Sequence, residues 1–410
     1  MTNSVPPIDA LEVLLRFGVL MLEAGNTAFR TRKWVNAIAP KLGFEAASVI
    51  VSLDSVTVSV RRGGEWLTAM RNVGPPGINV LRIAQLERLA TAVYAEATPA
   101  EIAVELDKIE SATHQYSTVQ IAAAVGLASG GFAFLNGAAV PETFAAIIGG
   151  GCGQWLRSWL THRRLNQYGA VAAAAIMASG VFVVVAAAGN HFGFGFAQYP
   201  AGFIASILFL VPGFPLIAAL FDLLQYQTLA AVSRLAYGVM ILLSVALGLS
   251  LVVAVGGIDV TRQPPMELAY VLKLLLRGIA SFISAGAFAI LFNSSPRAAL
   301  AVGLLAAGAN GLRLILIDVG MMPAPAAFLA ALSIGIVALM MDQRHKVPPI
   351  AVTVAPTVIM IPGIYAFEAI VHFNHGQMLD ALQAAATCSF IVGGLATGLA
   401  VARIFEPPAT

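Results

Sequence analysis

Two Pro-Gly pairs stand 150 positions apart, at Pro212-Gly213 and Pro362-Gly363, each inside an apolar stretch long enough to cross a bilayer. Proline removes a backbone donor and glycine loosens the helix, so each pair is expected to break a membrane helix near its middle. Such a break starts a half-helix whose first amides lack intrahelical acceptors, a setting that favours an anion. Interrupted hydrophobic segments at corresponding positions of two halves point to a transporter's substrate site. Pro212, Gly213, Pro362 and Gly363 are therefore the first candidate binding residues, for a carboxylate near the midplane.

Few ionisable groups share these stretches, and an ionisable group inside a span is a functional candidate by default. Asp222, nine residues after Gly213, suits a proton, a substrate amine or an ion pair with Arg234. His372 is its counterpart in the second half and belongs to the residue type that titrates near neutral pH. Glu368, five residues after Gly363, is the most isolated acid in a long apolar run. Asp222, Glu368 and His372 are the candidates for proton coupling. Asn310 can hydrogen-bond a substrate or join two helices, and Arg313 can attract a carboxylate or reach the outer surface. Lys273 and Arg277 lie one turn apart, and one can pair with Glu267. His372 and His375 have no further ligands at metal-binding spacing. The glycine-rich run 149–153 lacks the lysine of a phosphate-binding loop. No cofactor and no metal is expected.

The elements that must hold these residues are membrane helices. Hydrophobic residues make up 59% of the 410 and charged residues only 11%, against roughly 25% in soluble domains. With a mean hydropathy of +0.84, this excludes an ordinary soluble protein. A net charge of +2 with no clustered basic face gives no reason to expect nucleic acid. The expected partners are a small carboxylate or amino-acid substrate and the lipid bilayer, with self-association left open. Cys152 and Cys388 both lie in apolar stretches and imply no disulfide framework. The first apolar run, 11–22, is interrupted by Arg16 and does not resemble a secretory leader.

Charge is unevenly placed. Residues 1–117 carry 12 of the 21 acids and 11 of the 23 basic residues, which marks a small cytosolic α/β domain ahead of a membrane region. Within it, 8–24 has helical spacing, and Gly25-Asn26-Thr27 ends that helix and caps a second one to about 42. Residues 47–60 form a hairpin broken at Asp54-Ser55, and 65–73 a third strand. Helices are expected over 78–96 and 99–110, the latter with Thr98 and Glu101 as a capping box. Ten spans follow, at about 118–139, 141–160, 168–188, 200–222, 233–256, 268–292, 297–317, 321–341, 347–370 and 378–402. Arg157, Arg163, Arg164, Arg234, Arg297, Arg344, Lys346 and Arg403 fall on one side, with mainly Arg262 in the opposite loops. This asymmetry puts both termini in the cytoplasm of a cell bounded by an inner (plasma) membrane.

The Pro-Gly pairs belong to a longer correspondence. Gln227, Leu229 and Ala231 match Gln377, Leu379 and Ala381 at the same offset. At an offset of 156, Gln154 meets Asn310 and Arg157 meets Arg313. Residues 118–256 and 268–402 therefore read as two five-span repeats. Five is odd, so consecutive repeats enter the membrane from opposite sides and form an inverted pair suited to alternating access.

The run LLRFGVLMLEAG over 14–25, then Val211-Pro212-Gly213 through Asp222 to Ser233-Arg234, then Ile361-Pro362-Gly363-Ile364-Tyr365, resembles the threonine/serine exporter family over nearly the whole chain. Tyr226-Gln227 and Gly376-Gln377 stand where that family's pattern has Gly-Asp. The resemblance implies a secondary, proton-coupled exporter of small hydroxy amino acids, and no enzyme. Some relatives are associated with small dicarboxylates such as succinate, which is the alternative substrate class. A membrane-anchored enzyme or signalling protein is the third reading. Against it, residues 1–117 hold one histidine, His114, no cysteine and no nucleophile–base spacing.

Overall fold

The computed structural model describes residues 7–75, 77–93, 98–193, 200–256, 269–345 and 349–405. Arg262, Glu267 and Lys346 lie outside the described residues.

The N-terminal unit begins with α1 (Pro7–Glu23) and α2 (Ala28–Ile38). Three strands follow, β1 (Ala46–Val51), β2 (Ser55–Arg62) and β3 (Glu65–Asn72), in the antiparallel order β1-β2-β3. Valines alternate with polar residues along β2. Val56, Val58 and Val60 are fully buried while Ser55, Thr57 and Ser59 are not, which is the period-2 pattern of a sheet with one covered face. α1 covers β2 and β3, and α2 covers β1. Helices α3 (Val80–Ala92) and α4 (Pro99–Ser111) complete the unit, with the Thr98–Glu101 capping box formed. Gly25 ends α1 at φ +93, and an added Cβ there would stand 2.5 Å from the Gly77 carbonyl oxygen. Only glycine fits this turn, which brings Asn26 and Thr27 to the start of α2.

Among the described residues, twelve α-helices follow: α5 (Thr118–Leu135), α6 (Val140–His162), α7 (Gln167–His191), α8 (Pro200–Ile207), α9 (Gly213–Leu224), α10 (Thr228–Gly256), α11 (Tyr270–Leu291), α12 (Pro296–Asp318), α13 (Pro323–His345), α14 (Pro349–Val358), α15 (Gly363–Asn374) and α16 (Met378–Ala402). Among the described residues, seven are long and apolar enough to cross a membrane alone, and α8/α9 and α14/α15 make two more spans if each bent pair is one. The bends are 59° and 41°, at the two Pro-Gly pairs.

Among the ten expected spans, α6 alone falls short on composition. It carries Glu142, Gln154 and Arg157, and its glycines add little hydropathy. It still packs between α5 and α7, and Val140, Phe144, Ile148, Trp155 and Trp159 form an exposed apolar stripe along it.

The packing scheme of α5–α10 recurs in α11–α16. Helix α5 packs on α6, α6 on α7, α7 on α10 and α9 on α10; α11 packs on α12, α12 on α13, α13 on α16 and α15 on α16. The first half of each broken helix has equivalent neighbours: α8 touches α5, α6 and α7, and α14 touches α11, α12 and α13. The groups meet at α5–α11, where Phe132 and Phe288 pack edge to face at 5.6 Å, and they interlock through α9–α16 and α10–α15. The turns after α9 and α15 also match. The Gln227 amide donates to Asp222 O and the Gln377 amide to His372 O, both at 2.8 Å. The left-handed residue is Gly376 in one turn and Tyr226, at φ 58, in the other.

Candidate functional site

Both Pro-Gly pairs fold the same way. Pro212 sits at φ −77, ψ 57 and Pro362 at φ −80, ψ 60, so each centres an inverse γ-turn. The Gly213 amide donates back to Val211 O at 2.7 Å, and the Gly363 amide to Ile361 O at 2.8 Å. The two turns lie against each other. A Cβ on Gly213 would meet Ile361 Cδ1 at 2.1 Å, and one on Gly363 would meet Leu208 Cδ2 at 2.3 Å. The space between them is about 10 Å³, no more than one water needs.

This changes the expected anion site. Gly213 N–H is used in its γ-turn, Pro215 has no N–H, and Leu216 N–H donates to Pro212 O. In that first turn Phe214 N–H is the amide left without a backbone acceptor among those described. In the second half, Gly363, Tyr365 and Ala366 are bonded likewise and Ile364 remains. The breaks meet but enclose no ligand-sized space. Since each glycine leaves room only for a partner side chain, Gly213→Leu or Gly363→Leu should overpack the crossing. The expected cost is about 1–3 kcal/mol, with insertion retained and turnover lost. Thermal unfolding and proteoliposome transport measure both; unchanged values would mean the crossing is loose.

A ligand-sized cavity lies beside the first break. Its volume is about 350 Å³, within the range of small-molecule sites. Residues 209–215 form one wall, α6 supplies Gln154, Arg157 and Ser158, and α10 supplies Tyr237. Gly77, Ile78 and His114 close the side next to the N-terminal unit. Arg157 is half-buried and has no carboxylate partner among the described residues. Tyr237 Oη accepts from Gln167 Nε2 at 2.5 Å, which leaves its own proton to donate. Burial first, then Arg82 and His162, hold the His114 imidazole below its ordinary range, so it stays neutral at pH 7. No aspartate or glutamate lines the cavity among the described residues.

The equivalent polar pair in the second half is closed on itself. Asn310 is fully buried; its Nδ2 donates to Ser281 Oγ at 2.8 Å and its Oδ1 accepts from Arg313 Nε at 2.9 Å. Arg313 Nη1 reaches Met360 O at 3.5 Å, a carbonyl freed by the second break. Lys273 and Arg277 face Asp318, with Arg277 Nη1 at 2.5 Å from its carboxylate.

Asp222 lies elsewhere and lines neither the cavity nor the crossing. It has no exposed surface, and its carboxylate accepts the Ala28 and Phe29 amides at 3.3 and 3.4 Å, at the N-terminus of α2. Arg234 Nε stands 3.2 Å from Asp222 Oδ2 but is poorly aligned for a hydrogen bond, so their attraction is coulombic. Arg234 Nη2 also donates to Asn26 O at 2.6 Å, and Leu53 N–H donates to Ser233 Oγ. Of the alternatives open to Asp222 in the sequence, the ion pair with Arg234 is the one formed. On its other flank the N-terminal unit is tied to the α11–α12 turn, where Val80 N–H donates to Phe292 O and Tyr116 Oη to Ser294 O. Glu368 and His372 are both half-buried on α15, with His372 Nδ1 at 2.6 Å from Gln377 Oε1.

Sequence reasoning placed neither Gln154 nor Arg157 among the site residues. Their signal was present as the match of Gln154-x-x-Arg157 to Asn310-x-x-Arg313.

A bundle of apolar helices broken twice at its centre, with a polar cavity beside one break, defines a multi-pass membrane protein of the transporter class. The chain belongs to the threonine/serine exporter family: the family pattern matches residues 12–256, and a second, described as Threonine/Serine exporter, ThrE, matches residues 277–405. A threonine/serine exporter of Corynebacterium glutamicum is 24% identical over all of this chain and 85% of its own length. A protein of Mycobacterium tuberculosis described as a probable threonine/serine exporter is 23% identical over 95% of this chain and 75% of its own. No solved structure matches.

Proposed function

We propose that this protein is a secondary active exporter of small hydroxy amino acids, threonine and serine, in the inner membrane, with both termini in the cytoplasm. The observation that carries the reading is the cavity of about 350 Å³ in which Arg157 is the one permanent cation among the described lining residues. One fixed cation suits one carboxylate. A dicarboxylate needs a second permanent cation, which the described lining lacks, so the geometry favours an amino acid over a dianion. The names of the relatives point the same way.

In this reading α6 is the tenth span, supported by its exposed apolar stripe and by the Trp159–Arg163 stack at its end, an interfacial pairing. Residues 118–256 and 268–402 are then inverted repeats, which the matching packing schemes support. The cavity borders the N-terminal unit, while in the second half the equivalent Arg313 contacts the Met360 carbonyl. Export requires that contact to open as the cavity closes. The N-terminal unit, residues 1–117, acts as the cover of the inner gate.

Counterflow of labelled threonine, serine and succinate in proteoliposomes tests the reading. Threonine and serine should exchange; exchange of succinate alone would replace the substrate class.

The proton gradient is the driving force in this reading. Asp222 is committed to Arg234 and α2, which leaves Glu368 and His372 as coupling groups, and Glu368 stands nearer the second break on α15. Glu368→Gln should abolish uphill transport driven by a pH gradient while leaving counterflow near the wild-type rate. Retained pH-driven accumulation would remove Glu368 from the coupling path.

A further inference from the structure

Gln154 has an unusual position in the cavity wall. It is only 5% exposed, and its Nε2 donates to Ser158 Oγ at 3.1 Å. Its Oε1 is buried with no hydrogen-bond partner. A buried acceptor left unsatisfied is costly, and one on a side chain in a cavity wall gains from turning toward a ligand's donor. Arg157 is three residues further along the same helix, hence on the same face.

The equivalent pair shows what satisfied groups look like. Asn310 Oδ1 is occupied by Arg313, and Arg313 by Asn310 and Met360. In the first half neither Gln154 Oε1 nor the Arg157 guanidinium has a hydrogen-bond partner among the described residues. A free acceptor and a free cation side by side match the ammonium and carboxylate of an α-amino acid.

Resting on the cavity as the substrate site, we infer that Gln154 Oε1 accepts a hydrogen bond from the substrate's ammonium while Arg157 binds its carboxylate. Gln154 is then the residue that selects zwitterionic α-amino acids over hydroxy acids of the same skeleton. The acceptor is a neutral amide. A carboxylate there would pair with Arg157 and close the site on itself, as Asn310 does with Arg313.

The test is equilibrium binding to the purified full-length protein, using L-threonine and 3-hydroxybutanoate, which is threonine without its ammonium. Wild type should prefer threonine by about tenfold or more, the scale of one hydrogen bond to a charged group. Gln154→Met, similar in size but without an acceptor, should weaken threonine by about tenfold and leave 3-hydroxybutanoate unchanged. Gln154→Glu, which at neutral pH can only accept but also pairs with Arg157, should weaken both ligands while retaining the threonine preference. The inference is overturned if Gln154→Met weakens both ligands equally, if it changes neither, or if Gln154→Glu reverses the preference. Failure of the wild type to bind threonine at all would instead overturn the substrate assignment of the cavity. Thermal unfolding of each variant confirms folding, and Gln154→Glu serves as the second variant should Gln154→Met misfold.

Discussion

Replacing Arg157 with glutamine should weaken the binding of every carboxylate-bearing substrate by about 30-fold or more. Removing one partner of a hydrogen-bonded charge pair in a site costs about 2–5 kcal/mol. The half-buried setting of Arg157 places the effect toward the lower end, because water reaches the cavity. The loss should be similar for threonine, serine and 3-hydroxybutanoate, since all three present the same carboxylate. Threonine methyl ester, which lacks the negative charge, should bind wild type weakly and the variant no worse. Arg157→Lys should restore part of the affinity, because it keeps the charge but loses the planar fork. Calorimetry on the purified protein reads all of these. Wild-type affinity in Arg157→Gln would move the carboxylate site away from this cavity.

Asp222→Ala should destabilise the protein by about 3–5 kcal/mol, the cost of leaving a buried charge without its partner. Two losses combine. Arg234, 4% exposed, keeps its charge with no acid beside it. The Ala28 and Phe29 amides at the start of α2 also lose their acceptor. Asp222→Asn should cost less, because an amide oxygen still accepts from those amides. The double replacement Asp222→Ala with Arg234→Met should recover much of the loss, since no unpaired charge remains. The N-terminal unit should become more sensitive to protease in Asp222→Ala, as this ion pair anchors it to α9 and α10. Thermal unfolding in detergent and limited proteolysis provide the measurements. A stable Asp222→Ala variant with an altered pH profile of transport would make Asp222 a coupling group after all.

The three roles first open to Asp222 show where sequence reading stops. Its type, its place in an apolar run and the nearby Arg234 were all visible, and so was the ion pair as an alternative. What the sequence could not supply was α2, nearly 200 residues upstream, whose N-terminus surrounds the carboxylate. Each half-helix keeps fewer free amides than expected for an anion site, for a local reason. An inverse γ-turn returns each glycine amide to the chain, and Pro215 removes another donor. Proline and glycine forecast the break but not which way the freed amide turns. Lys273 and Arg277 found Asp318 across a helix pair.

The sequence by itself determined the membrane class, the small α/β unit with its three strands and caps, the positions of both helix breaks and the family. Each of these rests on local pattern: hydrophobic run length, valine alternation, capping residues and Pro-Gly pairs act within a few positions along the chain. Only the tertiary structure decided that the two breaks touch, that Asn310 and Arg313 satisfy each other and the Met360 carbonyl, and that Gln154 and Arg157 are left facing a cavity. Pairing of buried polar groups depends on which helices meet and at what height. The very residues that make α6 a site lower its hydropathy, so the most informative span was the least apolar one.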